Sequence, residues 1–188
     1  MAYFSDDQAR EIIRETYGQV RSHGPAVAET FYGPEELAGL PWEAVEFALG
    51  VANPVCHANL QPGEDVLDLG CGAGIDTLLA ARAVGSTGTA IGIDITPEMV
   101  ARARGNATAA ALSNVEIREG RIEELPFSDE SVDVVISNGV LNLSTRKSRV
   151  LAETLRVLRR GGRVVISDLV LTEALPEEVL RSPAALAG

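Results

Sequence analysis

Residues 66–74, Val-Leu-Asp-Leu-Gly-Cys-Gly-Ala-Gly, decide the fold: a buried-strand pattern runs into three glycines, Gly70, Gly72 and Gly74, and a helical pattern begins near Ile75. Glycine at such a bend lets the backbone turn sharply and approach a ligand with no Cβ in the way. A plain strand-to-helix turn would use the same residues, so the loop needs a second feature. That feature is Asp94, 20 residues after Gly74 at the end of the next apolar run. A carboxylate there can accept hydrogen bonds from ribose hydroxyls. The glycine spacing is G-x-G-x-G, whereas the dinucleotide fingerprint would put its last glycine at Ile75. A pyrophosphate needs close packing on the helix N-terminus, so the spacing demotes a dinucleotide without removing it.

TAIGID (89–94), VEIRE (115–119), VDVVIS (132–137) and RVVISDLVL (163–171) are further short apolar runs rich in β-branched residues, separated mostly by helical segments. Such alternation predicts a doubly wound, Rossmann-like α/β fold, with a mostly parallel sheet and helices on both faces. Thr96-Pro97-Glu98 supplies a cap, a proline at the first helical position and an early acid for a helix through about Leu112. Ser144 opens another, expected to run to Gly161-Gly162 with Arg156, Arg159 and Arg160 at its negative end. Upstream, Ser5 and Gln8 form a capping-box pattern before the apolar stripe Ala9, Ile12, Ile13, Tyr17 and Val20. Residues 22–34 read as a loop and Pro41 as a helix start. The expected organisation is one domain over 1–188: a helical lid (1–60), a cofactor-binding core (61–175) and a tail (176–188).

Composition narrows the function. A net charge of -11 repels polyphosphate, and no stretch clusters Lys and Arg with interleaved aromatics, so nucleic acid is not an expected partner. The polar, acidic start and the absence of an 18-residue apolar run give no signal peptide or membrane span, and a cytoplasmic location is expected. Two cysteines, Cys56 and Cys71, make neither a disulfide framework nor a zinc site, and no metal is expected.

Five segments, DLGCGAG, GIDIT with Asp94, GRIEELPF, VDVVISN and LRRGGRVVISD, resemble in order and spacing the seven-strand class of S-adenosylmethionine-dependent methyltransferases. A narrower match runs over about residues 31–180, where FYGPEELAGLP, ANPV, DITPEMVARAR, GRIEELPF, VVISNGVLNLS and SDLVLTEALPEEV are similar to arsenite methyltransferases. The resemblance implies that S-adenosyl-L-methionine is the cofactor and a small molecule the substrate. By it, Asp68, Gly70, Cys71, Gly72 and Gly74 surround the methionine portion, and Asp94 holds the ribose with Ile95 beside it. Ile122 and Glu123 border the adenine, Ser137 and Asn138 line the floor near the sulfonium, and Asn53 shapes the pocket with Pro54 from the lid side. Each has a plainer reading: Asp68 satisfying backbone N–H groups, Ile122 as core, Asn138 ending a strand.

The departures carry as much information. Arsenite is a soft centre best held by thiolates; the family's cysteines fall at the positions of Val51 and Gly139, with another past Gly188. No thiol stands at a carried-over arsenic position. Methyl transfer from a sulfonium needs geometry first, and a base only when the acceptor is protonated. The histidines are His23 and His57, and His57, beside ANPV, is the catalytic candidate; its plainer reading is a surface histidine. Trp42, Phe47, Phe31 and Tyr32 are candidate lid walls or plain core. The class adds an antiparallel strand pair after its fifth strand, and this sequence is expected to lack it, leaving a sheet edge through which a homodimer could form. Two alternatives stay in view: a cofactor-binding partner subunit without transfer activity, and a nucleotide-dependent oxidoreductase supported by fold analogy alone.

Overall fold

Five strands, β1 (Asp65–Leu69), β2 (Thr89–Asp94), β3 (Val115–Glu119), β4 (Val132–Asn138) and β5 (Leu158–Ser167), pair in parallel in the order β3-β2-β1-β4-β5. They are seen in a computed structural model that describes residues 3–22 and 24–186; the candidate His23 lies outside the described residues. Parallel strands need crossovers that cover both faces of the sheet, which is why the central strands β1, β2 and β4 are mostly apolar and buried, while the edge strands β3 and β5 carry exposed charged residues. Val66, Val134 and Ile136 pack with Ala80, Ala81 and Val84 of α6 (Ile75–Val84). On the opposite face Leu67, Leu69 and Val135 meet Val150 and Val157 of α8 (Lys147–Val157). Each large side chain so buried contributes about 1.5–3 kcal/mol.

The sheet order reverses direction at β1, whose neighbours are β2 on one side and β4 on the other. Register brings Leu69 opposite both Ile93 and Ser137, so the exits of three strands share one edge. Ligands of open α/β sheets bind at such a switch point.

The capping box forms as the sequence predicts: Gln8 N–H donates to Ser5 Oγ, and Ser5 N–H to Gln8 Oε1, opening α1 (Asp6–Gly18). The segment expected as a loop over 22–34 instead contains α2 (Ala26–Phe31), because Ala28 and Tyr32 bury themselves against Val45 and Ala48 and against Ile75 and Leu79 of α6. Tertiary burial there overrides the flanking Gly and Pro signals. Short helices α3 (Pro34–Leu37), α4 (Trp42–Glu46) and α5 (Pro54–His57) complete the N-terminal region. Thr96 stands at the N-cap position of α7 (Pro97–Ala109), though its hydroxyl makes no cap bond, and α7 packs Val100 and Ala103 against Ile117.

The helix expected from Ser144 to Gly161 is shorter at both ends. Ser144 Oγ accepts from Arg146 N–H in a turn before α8, and the helix stops at Val157. Arg159 leaves the helix to bridge Asp133 (2.6 Å) and Asp65 (3.0 Å), and Leu158 pairs with Val132 before a register shift. Two carboxylates at the bottom of β1 and β4 thus win Arg159 from the helix dipole. Beyond β5 come the one-turn helices α9 (Glu177–Leu180) and α10 (Pro183–Leu186). No helix among the described residues is long and apolar enough to cross a membrane.

Candidate active site

The turn after β1 carries the backbone the sequence demanded. Gly70 has φ +69°, and a Cβ there would lie 2.5 Å from Val140 Cγ1, closer than any side chain tolerates. Gly72 has φ +52° and nothing within 4 Å of where its Cβ would stand, so its backbone borders open space. The Gly70 and Cys71 N–H groups both donate to the Ile93 carbonyl (2.8 and 3.0 Å), tying the turn to the end of β2.

That tie continues into Asp94. Gly72 N–H donates to Asp94 Oδ2 (2.9 Å) and Thr96 N–H to Oδ1 (2.8 Å), so the two features read 20 residues apart are hydrogen-bonded. Each carboxylate oxygen offers two acceptor sites, leaving room for hydroxyl donors. Burial pushes the Asp94 carboxyl upward, while those backbone donors oppose the shift.

Two further carboxylates stand beside it. Asp68, at the end of β1, accepts from Thr77 Oγ1 (2.6 Å). Asp76, in the first turn of α6, accepts from Tyr32 Oη (2.8 Å) and Asn138 Nδ2 (2.9 Å). Burial, and then the Asp76 charge, hold Asp68 well above the usual carboxylate range; burial raises Asp76 to about 6, against the pull of its two donors. None of these three acids forms an ion pair among the described residues; the hydrogen bonds they accept come from neutral groups.

Asn138 is a hub. Its Oδ1 accepts from the Val51 and Ala52 N–H groups (2.8 and 3.2 Å), and its Nδ2 donates to the Ala52 carbonyl (2.7 Å), Tyr32 Oη (3.2 Å) and Asp76. One amide at the end of β4 therefore clamps the segment between α4 and α5 and the end of α2 onto the sheet edge.

These groups enclose a cavity of ≈ 120 Å³. Of the residues singled out from sequence, Asp68, Gly70, Cys71, Gly72, Asp94, Ile95, Ile122, Glu123 and Asn138 line it. The others lie off its wall. Gly74 caps α6 at φ +93° and packs on Ala103. Ser137 is buried within β4. Asn53 caps α5, accepting from Cys56 N–H (3.1 Å), and donates to Glu36 (2.8 Å). His57 is exposed on α5. Of the aromatic candidates Phe47 lines the cavity and Tyr32 reaches it through Asp76, whereas Trp42 and Phe31 are exposed. Burial, with Asp94 and Asp68 nearby, keeps the Cys71 thiol well above its ordinary range, which disfavours the thiolate and with it a nucleophilic role.

Sequence reading missed Asp76, Tyr17 and Arg10. Asp76 had a signal: it is the one acid in IDTLLAARAV, a helix otherwise almost wholly buried. Tyr17 and Arg10 sit with Ile13 on the face of α1 that overlies the cavity, and Tyr17 is four residues beyond Ile13 on one stripe. Burial, Asp94 and Asp168 raise the Tyr17 phenol above its ordinary value, so it stays protonated.

A family model described as a methyltransferase domain matches residues 60–187. The chain is 49% identical over 157 residues to an arsenite methyltransferase of Halobacterium salinarum, covering 84% of this chain and 40% of that protein. It is 36% identical over 108 residues to a demethylmenaquinone methyltransferase of Bacillus cereus, covering 57% of this chain and 45% of that protein. A solved structure of an arsenic(III) S-adenosylmethionine methyltransferase from Chlamydomonas reinhardtii superposes with TM-score 0.71 at 39% identity, over 83% of this chain and 52% of the other. The chain thus spans less than half the length of these two curated relatives.

Proposed function

Because the chain belongs to the family of methyltransferase domains, we propose that its cavity binds S-adenosylmethionine and that the protein transfers the cofactor's methyl group to a small molecule. One observation carries this reading: three buried carboxylates, Asp68, Asp76 and Asp94, share one cavity and form no ion pair among the described residues. Such a wall favours a ligand bearing sulfonium and ammonium charges, and it repels the pyrophosphate of a dinucleotide. Asp94 would hold the ribose through its remaining lone pairs, Ile95 and Ile122 would flank the adenine, and Asp68 and Asp76 would face the cationic end. Bound there, the cofactor supplies an activated methyl group. The residues of this chain then position the acceptor and keep water out, with Phe47, Leu49, Val140 and Leu143 forming an apolar wall.

The acceptor side differs from what the resemblance to arsenite methyltransferases implies. A Cβ on Gly139 would lie 3.5 Å from Val51 Cγ1, so the two positions face one another, and neither carries sulfur. We therefore read the acceptor as a small molecule that is not gripped by paired thiolates and that arrives with a free lone pair, since His57 stands off the cavity wall. A cytoplasmic setting, no nucleic-acid partner, residues 1–60 acting as the lid, and self-association along the outer edge of β5 belong to the same proposal.

Calorimetric titration tests it. S-adenosylmethionine should bind, NAD should not, and Asp94→Asn should weaken the cofactor at least about tenfold by removing a charged acceptor. Failure of the cofactor to bind at millimolar concentration would overturn the reading; labelled methyl transfer to a panel of acceptors then identifies the substrate.

A further inference from the structure

A second, smaller pocket lies between α1, the segment following β3 and the loop entering α8, and three arginines line it: Arg10, Arg121 and Arg146. The chain carries a net charge of -11 with only 16 basic residues, so three arginines around one recess run against its overall field. Two acids also face the recess, and both are already engaged. Asp6 accepts from Thr145 Oγ1 (2.7 Å) and sits 3.4 Å from Arg146 Nη1, and Glu123 accepts from Ser144 Oγ (2.6 Å). Arg10 pairs with Asp7 on its own helix.

Arg121 is the telling member. Its side chain is 34% exposed and its Nη1 makes only a long ion pair with Glu124 (3.7 Å), while its Nε is covered and makes no hydrogen bond among the described residues, so the fork lacks a close partner. Buried donors are nearly always paired, and an exception calls for an explanation such as a missing ligand. Guanidinium forks match the geometry of carboxylate and phosphate.

The recess has room for about one or two water-sized groups, which suits a terminal group and not a whole molecule. It shares Ile13, Leu143 and Ser144, with Arg10 and Glu123, with the wall of the main cavity. We infer that this recess binds the carboxylate or phosphate end of the methyl acceptor, whose apolar remainder extends into the main cavity. The inference rests on the methyl-transfer reading for the identity of the molecule, but not for the anion site itself.

Two probes test it by titration of the full chain: inorganic phosphate, and phenyl phosphate, which adds an apolar tail. Phenyl phosphate should bind at least about tenfold more tightly than inorganic phosphate, and the double variant Arg121→Gln/Arg146→Gln should weaken both by about tenfold or more. The same variant should bind S-adenosylmethionine within about twofold of wild type, because neither arginine lines the main cavity. Arg121→Lys/Arg146→Lys, which keeps charge and loses the fork, should recover only part of the affinity. Absence of phosphate binding at millimolar concentration, or equal binding by the Gln variant, overturns the site. Equal affinity for the two probes overturns the extension into the cavity. Phosphate binding without cofactor binding refutes the methyl-transfer reading and with it the acceptor assignment, and leaves the anion site standing.

Discussion

Replacing Asp76 with asparagine should flatten a pH dependence that the fold writes into the cavity wall. Burial raises the Asp76 carboxyl from 3.8 to about 6. A carboxyl whose folded value is raised binds more protons folded than unfolded between those two values. Its stabilising contribution is complete below about pH 4 and is lost as pH rises through about 6. Two pKa units correspond to about 3 kcal/mol at about 1.4 kcal/mol per unit. Asp68 and Asp94 push in the same direction, while Glu64, Asp133 and Glu153, lowered in the folded state, act oppositely. Only the difference between variant and wild type isolates residue 76. Asparagine keeps an acceptor for Tyr32 but turns a second donor toward Asn138, a pH-independent cost of about 1 kcal/mol. Urea unfolding of both proteins without cofactor, from pH 4 to 8, should show the variant gaining on wild type by up to about 3 kcal/mol across the window. A cationic ligand should re-ionise Asp76, so cofactor affinity of wild type should rise with pH through about 6, and that of the variant should rise less. A stability difference constant with pH would refute the burial argument, whatever the cofactor does.

Gly70→Ala should cost about 1–2 kcal/mol for the left-handed backbone, and about 1–3 kcal/mol more for the contact with Val140. Adding Val140→Ala should return part of the second cost and none of the first, as chemical denaturation of the four proteins in the cycle would show. Asn138→Ala strips the clamp on Val51, Ala52, Tyr32 and Asp76 together, and should destabilise by about 2–4 kcal/mol. Limited proteolysis should then cut the 47–53 segment faster, with β1 to β4 still protected.

Much of the fold was legible because it rests on local rules. Central parallel strands buried on both faces must be apolar runs, and a turn with positive φ against a packed neighbour must lack Cβ, so β1, β2, β4 and Gly70 announced themselves; the last strand was expected over 163–171 but runs over Leu158–Ser167, leaving Leu169, Val170 and Leu171 exposed. Asp94 was legible through its distance from the glycines, which the Gly72 N–H bond converts into contact. Where pairwise competition decides, the residues alone gave little warning. Arg159 looked like the basic end of a helix, and only the folded sheet shows that Asp65 and Asp133 lie close enough to claim it. Asn138 read as a strand end or a cofactor contact, yet its five hydrogen bonds reach segments 86 to 106 residues away in sequence for all but one partner.

The same distinction explains why the acceptor was the hardest element to read. Asp94 and the glycine turn come from adjacent strand ends, and their spacing is fixed by one crossover, so a pattern can encode them. The proposed acceptor side draws on α1, the α4–α5 segment, the exit of β3 and the loop before α8, four pieces whose separations no short motif constrains. Val51 and Gly139 illustrate the consequence: 88 positions apart, they face one another, and neither carries a thiol. On the proposed reading, a cofactor wall set by register and an acceptor wall set by packing can therefore vary independently. Substitutions at Val51, Gly139 or the arginine recess should alter the choice of acceptor while the carboxylate wall continues to hold the same cofactor.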